Sequence, residues 1–298
     1  MHISPFSRRD FLQKASYSLF MLPYFPLEIL GKDTFPTQSS IQEIINGIIA
    51  ACGPKVFKTV DTVKSGDPSV ACSGIVCTFL ATTEVIKQSI DKGANLIITH
   101  EPTYYNHWDE TGWLENDPVY RYKRELLENN KVVVWRFHDY WHRHTPDGIL
   151  TGFLQTMGWE AYLDTEREVT CVLPAHTLIE YTQMLQKGLG LKRAFYVGDP
   201  SMQATTLALL PGAWGRDAQI KQLRREDIDI AVVGEVAEWE TCEWVRDAVS
   251  AGMKKGLIIL GHADSEEPGM RYLVDWLKPR VDDIPVWHVP AGDPFVGV

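Results

Sequence analysis

Three short apolar runs in this chain end in the same way. Leu96–Thr99 runs into His100-Glu101, Val132–Phe137 into His138, and Gly256–Leu260 into Gly261-His262. Runs of four to six consecutive apolar residues read as strands buried on both faces. Such strands need helices on either side of a mostly parallel sheet, and that restricts the chain to the α/β class. The remaining sequence keeps the alternation. Further strands are expected at Gly74–Leu80, Val169–Pro174, Ala194–Gly198, Thr205–Leu210, Ile228–Val233 and Val286–Val289. Helices are expected at Ile41–Ala51, Thr83–Lys92, Val119–Asn129, Gly148–Met157, Leu178–Leu189, Asp217–Glu226, Glu238–Ala251 and Glu266–Leu277. The first of these is the plainest, with isoleucine at 41, 44, 45, 48 and 49.

The balance of 29 Lys+Arg against 39 Asp+Glu gives a net charge of -10. Phosphate-backbone binding draws its affinity from clustered cations, so nucleic acid is not an expected partner. Ser7-Arg8-Arg9-Asp10-Phe11-Leu12-Gln13-Lys14, followed by an apolar stretch to Leu30, resembles a twin-arginine export signal. The apolar part is too short, and too broken by Pro23 and Pro26, for a bilayer-spanning helix of about 20 residues. No stable membrane span is expected, and the destination is the periplasm or another exported location. The five cysteines form no C-x-x-C pair and read as small buried apolar residues. The organisation expected is a signal and linker over 1–36, a discontinuous metal-binding domain over 37–165 and 255–298, and a second domain over 166–254.

In open α/β sheets, ligands bind outside the carboxyl ends of the strands, where these histidines fall. His100 and the adjacent Glu101 point to opposite sides at a strand end. His142 follows His138 by four residues. His262 and Glu266 share one face if a helix begins at that point. Imidazole with carboxylate and no thiolate suits zinc, iron, manganese or nickel rather than a structural zinc site. His138 and Asp139 are expected behind the ligands or as additional ones. Glu235, after Gly234 at another strand end, is a candidate general base or a residue behind the ligands. His107, beside Trp108 and Trp113, reads as part of a surface loop, the alternative being a lid over the site.

These residues resemble the Nif-three-like dinuclear metal-centre family, some members of which are described as GTP cyclohydrolase type two homologues. The resemblance runs through Asp61-Thr62-Val63-Lys64-Ser65-Gly66-Asp67-Pro68, Lys92 to Pro102, Arg193 to Asp199 and Val233-Gly234-Glu235. Its most specific part is Gly261-His262-Ala263-Asp264-Ser265-Glu266, the family's G-H-x-x-[ST]-E motif. The family has two consecutive histidines where this chain has His100-Glu101, and a ligand aspartate where this chain has His142. One imidazole and one carboxylate have exchanged places. The resemblance implies two similar α/β domains with mixed sheets flanked by helices, and a toroidal homohexamer. It also implies two divalent ions per chain, of zinc, iron or manganese, on His100, Glu101, His142, His262 and Glu266. The function expected is hydrolysis of a small-molecule substrate by a metal-activated water. The alternatives are a non-catalytic oligomeric metal-binding or scaffold protein and a GTP cyclohydrolase-like enzyme.

Overall fold

The computed structural model describes residues 38–296 apart from Lys55, Glu168 and Asp282. The export-type segment expected over residues 1–36 lies outside the described residues. The described strands are β1 (Val63–Ser65), β2 (Ile75–Thr78), β3 (Leu96–Thr99), β4 (Val133–Arg136), β5 (Thr170–Thr177), β6 (Phe195–Val197), β7 (Gln203–Leu210), β8 (Ile230–Val233), β9 (Gly256–Ile259) and β10 (Val286–His288). The α-helices are α1 (Ile41–Ala51), α2 (Thr83–Asp91), α3 (Pro118–Asn129), α4 (Asp139–Arg143), α5 (Gly148–Met157), α6 (Leu178–Leu189), α7 (Gly215–Leu223), α8 (Glu243–Ser250) and α9 (His262–Leu277). Among them no helix is long and apolar enough to cross a membrane.

The strands form two five-stranded mixed sheets, ordered β1-β4-β3-β2-β10 and β5-β7-β8-β9-β6. In the first, β10, β2, β3 and β4 are parallel and only β1 is antiparallel. Its apolar runs face both ways with a period of two. Ile75, Leu96, Ile98 and Val133 join a core with α1 and α9, whereas Val76, Ile97 and Val134 pack with Val85 and Ile86 of α2 and Leu127 of α3. In the second sheet β7, β8 and β9 are parallel and the two edges antiparallel. Residues of α5 and α6 cover one face, residues of α7 and α8 the other.

Strand β9 pairs with β8 and β6. The return to the first sheet therefore comes after residue 259, one strand later than the boundary expected at residue 255. The reason is that an all-apolar run carries no mark of which parallel sheet it will join. Helix α9 starts at His262, earlier than expected, with Gly261 at φ 105° turning the chain into it. The strand β1 and the five-residue α4 were not expected; both are too short for a periodic pattern.

Helices α5 and α9 pack at backbone distance. A Cβ on Gly152 would stand 2.4 Å from Pro268 O, and one on Gly269 would stand 2.6 Å from Ile149 Cα. That contact fixes α9, whose first turn carries site residues, against α5. The five cysteines are all free and buried, as expected.

Candidate metal centre

Each element delivers its side chain from a carboxyl strand end. Beyond β3, His100 is wholly buried and Glu101 is partly exposed. Beyond β4 the short helix α4 carries His138 at its entry and His142 in its last turn. A helix of five residues has little stability of its own. Asp61 holds it in place, accepting the backbone N–H of His138 at 2.8 Å, Asp139 at 2.9 Å and Tyr140 at 2.9 Å. From the second sheet, α9 places His262 and Glu266 one turn apart, with His262 Nε2 3.2 Å from Glu266 Oε2.

The four imidazoles are oriented alike, each holding a partner through Nδ1. The partners are Phe137 O for His100 (3.1 Å), Asp139 Oδ1 for His138 (2.9 Å), Asp147 Oδ2 for His142 (2.9 Å) and Glu235 Oε2 for His262 (3.3 Å). A carbonyl only accepts, so Nδ1 of His100 carries the proton and Nε2 presents a lone pair. Glu266 Oε2 lies 3.5 Å from that lone pair, and both atoms are buried without a hydrogen-bond partner. Two acceptors facing each other out of water are unfavourable unless a cation or a proton lies between them. Burial, together with His138 and His142, holds His100 well below the usual imidazole range, which argues against a proton there.

Two groups bring their donor atoms within 4.8 Å of one another: His100, His138 and His142, and His100, Glu101 and Glu266. Glu101 Oε1 also lies 3.6 Å from His138 Nε2 and 3.7 Å from His262 Nε2. Its other oxygen is 3.3 Å from the buried Arg136, which also donates to His100 O. Burial lifts the Glu101 carboxyl to about 7 despite that arginine. Burial likewise pushes His138 down to about 4. Burial opposes charge on His262 too, but the carboxylates of Glu235, Glu266 and Glu101 prevail and raise it to about 10. Burial opposes charge on His142 as well, but Asp147, Glu266 and Glu101 prevail and raise it. Without an ion the cluster thus favours protonated imidazole on His262 and His142 beside its carboxylates.

A cavity of about 410 Å³ opens over these donors. Pro211, Ala213 and Trp214 form its apolar wall, and His107, expected in a plain loop, lines it too. Gly212 makes the close approach possible: at φ +84°, its Cβ would stand 1.9 Å from Glu266 Oε1. Its N–H donates to Ser265 Oγ, 3.0 Å away on α9.

The structure brings His100, Glu101, His142, His262 and Glu266 close together, with His138 among them. Asp139 turns away from it, holding His138 and the N–H of Val60. Glu235, at the rim with a half-exposed side chain, holds His262. Sequence reasoning missed Asp61, Arg136 and Asp147. Only Asp147 carried a local sign, standing one residue before a helix it caps.

The fold and cluster together define a two-sheet α/β protein with a histidine–carboxylate centre at the carboxyl ends of its parallel strands. Residues 39–292 match the family Duf34/NIF3 (NGG1p interacting factor 3), and the chain belongs to it. It is 24% identical over 242 residues to the GTP cyclohydrolase 1 type 2 homolog of Clostridium perfringens (strain 13 / Type A), covering 77% of this chain and 88% of that one. The fold is similar to the crystal structure of Staphylococcus aureus protein SA1388, with TM-score 0.69 and 16% identity over 87% of this chain and 99% of that one. It is also similar to a Bacillus cereus protein related to NIF3, with TM-score 0.70 and 14% identity over 88% of this chain and all (100%) of that one.

Proposed function

We propose that this chain is a metal-dependent hydrolase of a small molecule, with two divalent ions on His100, Glu101, His138, His142, His262 and Glu266. The observation that carries the reading is the facing pair of buried, unpartnered acceptors, His100 Nε2 and Glu266 Oε2. His100 belongs to both donor groups but has one free ring nitrogen, so it serves one ion, and the remaining donors suffice for the other. Zinc, iron and manganese all suit such a set. When bound, such ions supply Lewis acidity and a hydroxide nucleophile near neutral pH.

The chain's own residues do the rest. Phe137 O, Asp139, Asp147 and Glu235 fix the imidazole tautomers, so every Nε2 is aimed inward. Pro211, Ala213 and Trp214 exclude water from one side of the cavity. Glu235, whose carboxyl is lowered chiefly by its hydrogen bond with His262, stays ionised at neutral pH and accepts a proton at the rim. A GTP cyclohydrolase, as the Clostridium relative's name suggests, is a weaker reading. Among the described residues lining the cavity there is no Lys or Arg to meet a triphosphate.

Elemental analysis of protein purified without chelators tests the proposal, with about two transition ions per chain expected. No metal, and no uptake on addition, would overturn it. A panel of amide, lactone and phosphoester substrates then separates hydrolase from storage protein. Turnover of none of them by fully loaded protein favours the non-catalytic metal-binding reading. Residues 7–14 further support export by the twin-arginine route. Replacing Arg8 and Arg9 with Lys is expected to leave the protein in the cytoplasm on cell fractionation. A homohexamer is the assembly the family resemblance supports, and light scattering of the purified chain reads its mass directly.

A further inference from the structure

His107 lines the cavity over the donors yet belongs to neither group of donor atoms that lie within 4.8 Å of one another. Its ring stands edge-on to that of His138, with centroids 6.3 Å apart. The residue is exposed, and neither ring nitrogen hydrogen-bonds another described residue. A side chain so placed meets what the cavity holds rather than the ions themselves. On the reading of the centre as a metal-dependent hydrolase, we propose that His107 contacts the substrate. It donates a hydrogen bond to the polar head of a small carbonyl compound whose apolar body lies against Pro211, Ala213 and Trp214.

The loop beneath His107 is built to hold one shape. Asn106 commits its whole amide to the loop backbone, donating to Tyr104 O at 3.1 Å and Glu110 O at 2.8 Å. It accepts the N–H of Trp108 at 3.2 Å and of Glu110 at 3.0 Å. Asp109 closes the loop by accepting the N–H of Tyr104 at 2.7 Å. Tyr105 and Asp109 sit in the left-handed region, at φ 65° and 57°, where a bulky tyrosine is a rare occupant. Conformations of that kind persist where their surroundings over-determine them, and they concentrate at ligand-binding sites. The wholly buried Arg136 then ties the loop to the centre. It donates to His107 O at 2.5 Å, to His100 O at 3.1 Å and to Glu101 Oε2 at 3.3 Å. One guanidinium thus fixes His107 relative to two of the ligand residues.

The other walls set the class of molecule. Trp214 is 43% exposed and gives its Nε1–H to Pro211 O at 2.9 Å, so its indole adds apolar surface with no free donor. Pro211 and Ala213 bring no polar side chain either, and covering such a wall favours an apolar body in proportion to the area buried. Among the described residues lining the cavity there is no Lys or Arg, which leaves imidazole to meet the substrate's head. An imidazole carries an N–H in either protonation state, and a carbonyl oxygen accepts it. At about 410 Å³ the cavity lies within the roughly 300–1,000 Å³ of small-molecule sites, with room for a ring as well as the head.

The test loads the full chain with cobalt(II), which takes imidazole and carboxylate ligands and reports its surroundings in the visible spectrum. The probes are acetohydroxamate, a carbonyl head alone, and benzohydroxamate, the same head with an apolar ring. Both are expected to bind saturably, benzohydroxamate about 10-fold more tightly, the scale of burying part of a ring. His107→Ala is expected to weaken both by about 10-fold or more, and His107→Gln, which keeps an N–H, to recover most of the loss. His107→Phe keeps a ring without the N–H and serves equally if the Ala variant misfolds. Trp214→Ala is expected to remove the preference for benzohydroxamate and leave acetohydroxamate unchanged. Cobalt content should stay at the wild-type level in all four variants. Loaded protein that binds both probes equally well with and without the His107 N–H would overturn this proposal alone, as would loss of cobalt in the His107 variants or a ring preference that survives Trp214→Ala. Protein that takes up no cobalt at all would overturn the metal reading and this proposal with it.

Discussion

At the scale of single residues, the centre depends on side chains that are missing as much as on those present. Gly212 combines φ +84° with a Cβ position 1.9 Å from Glu266 Oε1. Gly212→Ala must therefore strain the backbone and displace a donor. A loss of about 2–4 kcal/mol in stability is expected, with metal affinity down about 10-fold or more. Chemical denaturation and chelator competition measure the two, and wild-type metal affinity would remove Gly212 from the site. Glu101→Gln removes one donor and the charge facing the buried Arg136. That guanidinium still donates to His100 O and His107 O, and burial already disfavours the charged carboxylate, so little loss of stability is expected in the metal-free protein by chemical denaturation, whereas chelator competition should show weaker metal binding. The strand-end histidines were legible in the sequence because an apolar run announces where each strand stops. Asp61 was not. It meets the His138 N–H across 77 residues of chain, a separation at which local pattern carries no information.

Among elements, α4 shows how a weak piece of structure is made to carry ligands. It is only five residues long and has no side-chain cap of its own. Asp61 takes the place of that cap with three backbone hydrogen bonds. Asp61→Ala leaves three N–H groups without their partner and is expected to cost about 2–4 kcal/mol. Metal affinity should fall further than in Asp61→Asn, which keeps one accepting oxygen; equal affinity in the two would show that α4 holds itself. The contact between α5 and α9 makes a second case. A Cβ on Gly269 meets the backbone of Ile149, which cannot swing aside as a side chain would. Gly269→Ala should lower the melting temperature by several degrees, corresponding to roughly 2 kcal/mol of overpacking. The long apolar strands and amphipathic helices were readable from the sequence because burial imposes a period on them. Strand β1 has three half-buried residues and imposes none. The sheet that β9 joins was hidden for a different reason: Leu257 and Ile258 are as apolar as Ile97 and Ile98, and only the connection through Gly261 decides their neighbours.

For the whole molecule, the donors come from both sheets: His100, Glu101, His138 and His142 follow strands of the first, whereas His262 and Glu266 follow β9 of the second. An ion held by both groups ties the sheets together and binds the folded state alone. At a free concentration about 1,000 times its Kd, such an ion stabilises the fold by about 4 kcal/mol. In a chain of this size, that is roughly 8–16 °C in melting temperature. EDTA should remove the increment, and zinc or manganese should restore it. The increment must also depend on pH, and its sign follows from the protons the cluster holds without an ion. His262, raised to about 10 by its carboxylates once burial is overcome, gives up a proton to the ion throughout the neutral range. Affinity should then rise by at least about tenfold per pH unit between about pH 7 and pH 9, with His142, which burial lowers but Asp147, Glu266 and Glu101 raise, adding to the slope where it too is protonated. Below the Glu101 value of about 7, which burial sets, a further proton competes and the dependence steepens by about one more decade per unit. Metal stabilisation is therefore present at alkaline pH and lost as pH falls. Melting curves at saturating and zero metal, taken from about pH 6 to pH 9, should converge at the acid end. Curves that coincide at every pH would mean that no ion bridges the sheets, and curves equally separated at every pH would mean that binding displaces no proton from His262 or Glu101.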